Sequence, residues 1–209
     1  MNNKIAKALL KNEAVFLKVN EPFTWASGIK SPIYCDNRIT LSIPSTRTLI
    51  EESFARIIKE EYSECDVVVG TATAGIGHAA IIAHILDKPM AYVRTSSKGH
   101  GRKNNIEGKI EKGSKVVVIE DLISTGSSSL ECVKILEDNN IEVLSVLAIF
   151  TYGMQKAASN FKEANVKLHT LTNLDILLEE AYRGNYIEES DIARIKQFRD
   201  NPSDESWIK

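Results

Sequence analysis

Cysteine is scarce in this chain of 209 residues, and the three present, Cys35, Cys65 and Cys132, are widely spaced with no CxxC pair. An odd, scattered set argues against a disulfide framework and fits a reducing compartment. Long apolar runs are also lacking. The best, Val143 to Phe150, contains Ser145 and falls well short of the ~18 residues that a membrane span needs. Near the N-terminus, Lys11 and Glu13 interrupt the apolar segment after Lys4 and Lys7, so a signal peptide is not expected. Neither sign of charge dominates. A net charge of −2 gives no global reason to expect nucleic acid or an anionic membrane as partner. Internal repeats and low-complexity tracts are absent. What remains has ordinary globular composition, 43% hydrophobic and 26% charged, in a length that suits one domain with a sizeable core. The expectation is a cytoplasmic protein.

One stretch organises the rest: Val116-Val117-Val118-Ile119-Glu120-Asp121-Leu122-Ile123-Ser124-Thr125-Gly126-Ser127-Ser128-Ser129. The β-branched run Val116 to Ile119 predicts a strand covered on both faces, as in a parallel sheet. Glu120 and Asp121 then fall at its carboxyl end, where open α/β sheets bind ligands. The hydroxyl- and glycine-rich turn leads into an amphipathic helix carrying Leu130, Val133 and Leu136. Backbone N–H groups at a helix start, with Ser and Thr hydroxyls, suit a phosphate monoester. Acids at a strand end are often plain solvated charges, and Ser-Thr-Gly-Ser is also ordinary capping chemistry. Joined, the two halves suit a ligand with both hydroxyls and a phosphate, a sugar phosphate.

The remaining pattern is alternating. Helices are expected over residues 2–12, 44–62, 75–86, 154–164, 174–182 and 188–199, and strands over 33–36, 66–70, 90–93, 142–151 and 167–171. Strand–helix alternation from 44 to 171 predicts a parallel-sheet α/β core. The six small residues Gly70-Thr71-Ala72-Thr73-Ala74-Gly75 let a backbone approach a second phosphate group. Gly75-Ile76-Gly77-His78-Ala79-Ala80 also fits a dinucleotide fingerprint, with Arg94 beyond the next strand, but it begins five residues past Gly70 and ranks lower. Residues 95–107 hold almost no hydrophobics, two glycines, and Lys98, His100, Arg102 and Lys103. They suit either a solvated linker or, preferred beside two phosphate loops, a mobile lid that closes on a polyanion. From composition alone, residues 23–38 read as a surface hairpin whose Trp25 and Tyr34 cover the core.

The stretch from Val116 to Ser127 resembles the phosphoribosyl-diphosphate signature of the type I phosphoribosyltransferases. Phe23-Thr24…Ser27-Gly28…Lys30-Ser31-Pro32…Tyr34 resembles the hood of the orotate phosphoribosyltransferase branch, Arg94…Lys98-Gly99-His100-Gly101 its catalytic loop, and Gly70 to Ile76 its diphosphate loop. The resemblance implies a Rossmann-like core over about 44–171, with a hood from 1–43 and 172–209. It implies transfer of phosphoribose to orotate with Mg²⁺ as cofactor, in a homodimer whose lids reach the neighbouring site. In such an enzyme Arg94, Lys98 and His100 are catalytic. The donor, 5-phosphoribosyl 1-diphosphate, is held by these three with Thr71, Ala72, Thr73, Glu120, Asp121, Leu122, Ile123, Ser124, Thr125, Gly126, Ser127 and Ser128. Ser124, Lys30 and Tyr34 are the orotate-side candidates, and no protein ligand to the metal is assigned. Several positions depart from one branch of the family. Ala26, Ala74 and Thr95 replace lysines, Tyr34-Cys35 replaces paired aromatics, and Thr151-Tyr152-Gly153-Met154 lacks an arginine that holds the orotate carboxylate. Lys30 and Arg38 are candidates for some of that charge. The alternatives are another nucleobase phosphoribosyltransferase, or a nucleotide-sensing regulator on the same fold.

Overall fold

The structure, a computed structural model, describes residues 2–25, 28–95 and 105–208. The chain opens with helix α1 (Asn2–Lys11) and four short strands: β1 (Val15–Leu17), β2 (Phe23–Thr24), β3 (Lys30–Ser31) and β4 (Ile33–Cys35). A 3-10 helix (Asn37–Ser42) leads to helix α2 (Pro44–Glu61). Next come β5 (Val67–Thr71), α3 (Ala74–Leu86), β6 (Met90–Val93), β7 (Ile106–Glu107), β8 (Lys115–Ile123), α4 (Ser127–Asp138) and β9 (Glu142–Thr151). The chain ends with α5 (Gln155–Glu163), β10 (Leu168–Asn173), α6 (Leu174–Arg183), α7 (Glu189–Asp200) and a 3-10 turn (Ser206–Ile208).

The main sheet runs β10-β9-β8-β5-β6-β7. Pairing is parallel from β10 through β6, and β7 closes the edge antiparallel. β5 and β8 are runs of valine because both faces of these strands are covered. Val117 and Ile119 enter a core shared with α1, α2, α3, α6 and α7, while Val116 and Val118 enter a second core with Cys132, Val133 and Leu136 of α4 and Ala157 and Phe161 of α5. On α2, Ile50, Phe54 and Ile58 are fully buried, as their helical spacing requires. Pro44 occupies the first turn, where its missing N–H costs nothing.

From β5 the chain steps outward to β6, then returns to place β8 on the other side of β5. The strand order therefore reverses between β5 and β8. In open α/β sheets the crevice at such a reversal is where ligands bind.

Three expectations need correction. Ile106 and Glu107 are not loop; they pair with Val93 and Tyr92, so the sheet is mixed at one edge. β8 does not stop at Ile119 but continues to Ile123, because β9 keeps pairing with it. Tyr34 does not cover the core: it is 41% exposed, whereas Trp25 does pack against the core.

Candidate active site

β5 pairs with β8 only as far as Gly70 opposite Ile119, whereas β9 follows β8 to Ile123 opposite Thr151. Glu120 and Asp121 occupy the stretch of β8 that β5 leaves bare, at the reversal of strand order. The two acids find different neighbours. Glu120 turns towards α4 and is nearly buried at 7% exposure. Its Oε2 accepts from Ser129 Oγ at 3.0 Å, and its Oε1 accepts from the Asp121 N–H at 3.0 Å. Asp121 turns towards the 3-10 helix, where Asn37 Nδ2 donates to its carbonyl at 2.7 Å. Burial, then the adjacent Glu120 charge and a hydrogen bond with it, push the Asp121 carboxyl up to about 7, while nearby His78 opposes the rise.

The loop after β8 reaches α4 through Gly126, whose φ of +77° is left-handed and whose Cβ, if present, would overlap the Phe161 ring. No side chain caps α4. Its first N–H groups thus stand beside the exposed Ser127 and Ser128, as an anion site requires. Thr125 Oγ1 and Ser127 Oγ are 3.0 Å apart, and Asn160 Nδ2 pins the loop by donating to the Thr125 carbonyl at 2.9 Å. Ser124 is half-buried at the start of this turn. Leu122 and Ile123 put their side chains against the two cores. Moreover, the Ile123 carbonyl already accepts from the Tyr152 N–H and Thr151 Oγ1.

The second loop lies across the crevice. Thr71 Oγ1 donates to the Ile119 carbonyl at 3.1 Å, and the Ala72 N–H donates to the Val93 carbonyl at 2.8 Å. A cis peptide joins Ala72 to Thr73, which is exposed. α3 also begins without a side-chain cap. Gly75 is there because a Cβ would overlap the Ile119 carbonyl oxygen, so only glycine lets the α3 start sit against β8. That close approach, not a dinucleotide turn, accounts for the first glycine of Gly75-Ile76-Gly77.

Arg94 continues β6 by donating its N–H to the Asn105 carbonyl at 2.8 Å, and its guanidinium lies 5.6 Å from the Tyr92 ring centroid. Lys98 and His100 lie outside the described residues, as do Ala26 and Ser27 of the hood. Lys30 Nζ donates to Thr24 Oγ1 across the β2–β3 hairpin at 2.7 Å, and Tyr34 packs on Phe23 with centroids 5.6 Å apart. Arg38 forks onto Asp36, at 2.6 and 2.8 Å. Trp25 anchors the hairpin against Tyr152 and Phe198, at 5.8 and 5.5 Å.

Residues 41–173 match the family model of the phosphoribosyl transferase domain. Across all 209 residues the chain is 56% identical to an orotate phosphoribosyltransferase of Listeria innocua, covering 99% of that protein. The chain belongs to the orotate phosphoribosyltransferase family. Among solved structures, an orotate phosphoribosyltransferase from Aeropyrum pernix superposes with a TM-score of 0.77 at 31% identity, over 86% of this chain and 99% of that one. A UMP synthase from Leishmania donovani gives 0.79 at 27% identity, over 95% of this chain and 42% of that one.

Sequence reasoning about this phosphoribosyltransferase missed Asn37, Ser129 and Tyr152. Ser129 had a signal: it is the residue of the serine run that begins the first turn of α4 on the side of Glu120. Asn37 had none, because a six-residue 3-10 helix has no periodicity long enough to read.

Proposed function

We infer that the protein transfers the 5-phosphoribosyl group from its 1-diphosphate to N1 of orotate, giving orotidine 5′-monophosphate and diphosphate in the de novo formation of UMP. The observation that carries this reading is the 56% identity to an orotate phosphoribosyltransferase over the full chain. The crevice supports it with an acid pair beside two uncapped helix starts, a combination suited to a donor bearing hydroxyls and phosphates at both ends.

In this reading the C1–O bond to diphosphate breaks as the C1–N1 bond forms, through a ring resembling the oxocarbenium ion of glycoside hydrolysis. Asp121 and Glu120 hold the ribose hydroxyls and tolerate the cationic ring. Their contribution is chiefly positioning. The 124–128 turn takes the 5′-phosphate, and residues 71–73 take the diphosphate. Lys98, His100 and Arg94 meet the charge that gathers on the leaving group. On the base side stand Ser124, Lys30 and Tyr34. Because Lys30 already holds Thr24 and Arg38 already holds Asp36, either cation must exchange partners to meet a carboxylate.

No three of His, Cys, Asp and Glu converge on a metal site among the described residues. That chemistry fits Mg²⁺ arriving on donor oxygens and water, so no protein ligand is assigned. When bound, the ion neutralises part of the diphosphate charge. The assembly that goes with this reading is a homodimer with shared sites. The setting is the cytoplasm, in keeping with three unpaired cysteines and with no described helix long and apolar enough to cross a membrane.

The test is loss of orotate absorbance with purified protein, 5-phosphoribosyl 1-diphosphate and Mg²⁺, against a panel of other nucleobases. Orotate consumption that depends on the donor is expected. Turnover of another base in its place, or no turnover at all, overturns the reading.

A further inference from the structure

Behind the ribose side of the crevice lies a buried pair that the reaction as derived above does not use. His78 on α3 and Glu51 on α2 are both fully buried, with Nδ1 and Oε1 2.9 Å apart. The outer atoms of the pair, His78 Nε2 and Glu51 Oε2, have no partner, and neither has Asn37 Oδ1. Leaving three such atoms buried and unmatched costs on the order of 1–3 kcal/mol each, so a merely structural pair would be an expensive way to join two helices. The 3-10 helix bearing Asn37 packs against α2, α3 and β8. Asn37 holds the backbone of Asp121, and His78 stands close enough for its charge to act on the Asp121 carboxyl.

We propose that the Glu51–His78 pair is a positioning device for Asp121, supporting from behind the negative charge with which this carboxylate receives the ribose of the donor. Glu51 fixes the ring through Nδ1 and leaves the buried Nε2 without a partner. The need for such a device is plain from the rest of that corner. Glu120 on β8 itself opposes a second negative charge, and Asp121 in turn bears on Cys35 of β4 and on Tyr152 after β9. Asp36 and Tyr34 add acidic groups on the hood side, and Arg38 is already committed to Asp36. Arg47 of α2 bears on Glu51. Within this set His78 eases the Asp121 charge from the helix side, and Arg38, though bound to Asp36, bears on it from the hood side.

The proposal rests on the assignment of Asp121 to the donor ribose, so the test reads donor binding and not orotate turnover. Calorimetry would follow the affinity of His78→Gln for 5-phosphoribosyl 1-diphosphate from pH 6 to 9, beside the native protein. Glutamine keeps a hydrogen bond to Glu51 but carries no charge. The acid limb of donor affinity should move up by about one pH unit, so that the deficit is roughly tenfold at pH 6 and narrows towards pH 9. In an Asp121→Asn background the same change should move nothing. A deficit equal at every pH, or an unmoved limb, overturns the proposal. If His78→Gln does not fold, Glu51→Gln should displace the limb in the same direction. The native protein gives a further reading through the ¹⁵N resonances of His78. The Nε2 resonance should move on saturation with donor, and an Nε2 signal indifferent to the donor would refute the link. Native protein that binds donor with this limb yet ignores orotate would sink the orotate assignment and leave the pair's role standing.

Discussion

At the scale of single residues, the acid pair sets function against stability. The Asp121 carboxyl sits at about 7, above its ordinary 3.8, chiefly because it is buried and next because Glu120 is beside it. A folded-state value above the unfolded one means that the fold favours the protonated form. The associated stability is complete below about pH 4 and is lost as pH rises through 7. The gap corresponds to at most about 4 kcal/mol, and less where the two acids share the strain. Asp121→Asn removes the charge and keeps the shape. It should raise the unfolding free energy of the ligand-free protein by about 1–3 kcal/mol at pH 8, with the gain shrinking towards pH 5, as denaturant titrations at both values would measure. The same variant should bind 5-phosphoribosyl 1-diphosphate far more weakly by calorimetry. If it were both less stable at pH 8 and unimpaired in binding, Asp121 would be an ordinary structural acid.

At the scale of elements, the crevice is made by two helix starts pressed against one strand, and glycine is what allows the pressing. In Gly75→Ala the new methyl meets the Ile119 carbonyl and must drive α3 away from β8. The Ile119 backbone and the buried Thr71 hydroxyl leave little room for relief, so a loss of about 2–4 kcal/mol is expected, measurable as a lowered denaturant midpoint. Donor affinity should fall too, because residues 71–73 move with the helix. The valine runs of β5 and β8, the spacing of Ile50, Phe54 and Ile58, and the acid-to-serine signature were legible because each is periodic or locally rule-bound. β7 was not, since two residues inside a polar stretch acquire strand character only from Tyr92 and Val93 beside them. Nor was the length of β8, which depends on β9 continuing past the point where β5 stops. The Glu51–His78 contact joins residues 27 apart on two helices, and no local pattern announces such a meeting. His78 stood out in the sequence only within a glycine motif whose first glycine serves packing.

At the scale of the whole molecule, the reading of the segment that carries Lys98 and His100 as a lid over a neighbour's site makes a quantitative demand. Lys98→Ala should by itself lower turnover by orders of magnitude without disturbing the core, and Asp121→Asn should do so through the donor. In a homodimer with shared sites, each site combines the core of one subunit with the lid of the other. A mixed dimer of the two variants therefore has one site carrying both defects and one carrying neither. Equal amounts, unfolded and refolded together, give half mixed dimers by random pairing, so about a quarter of native activity should return. Neither variant refolded alone regains it. If Lys98 served its own subunit, every site in the mixture would keep one defect and activity would stay at the level of the separate variants. The contrast between a quarter and nearly nothing is read in one orotate-consumption assay. It distinguishes a site that needs two chains from one complete within a single chain, whatever the dimer's affinity, provided that size-exclusion chromatography confirms pairing in the refolded mixture.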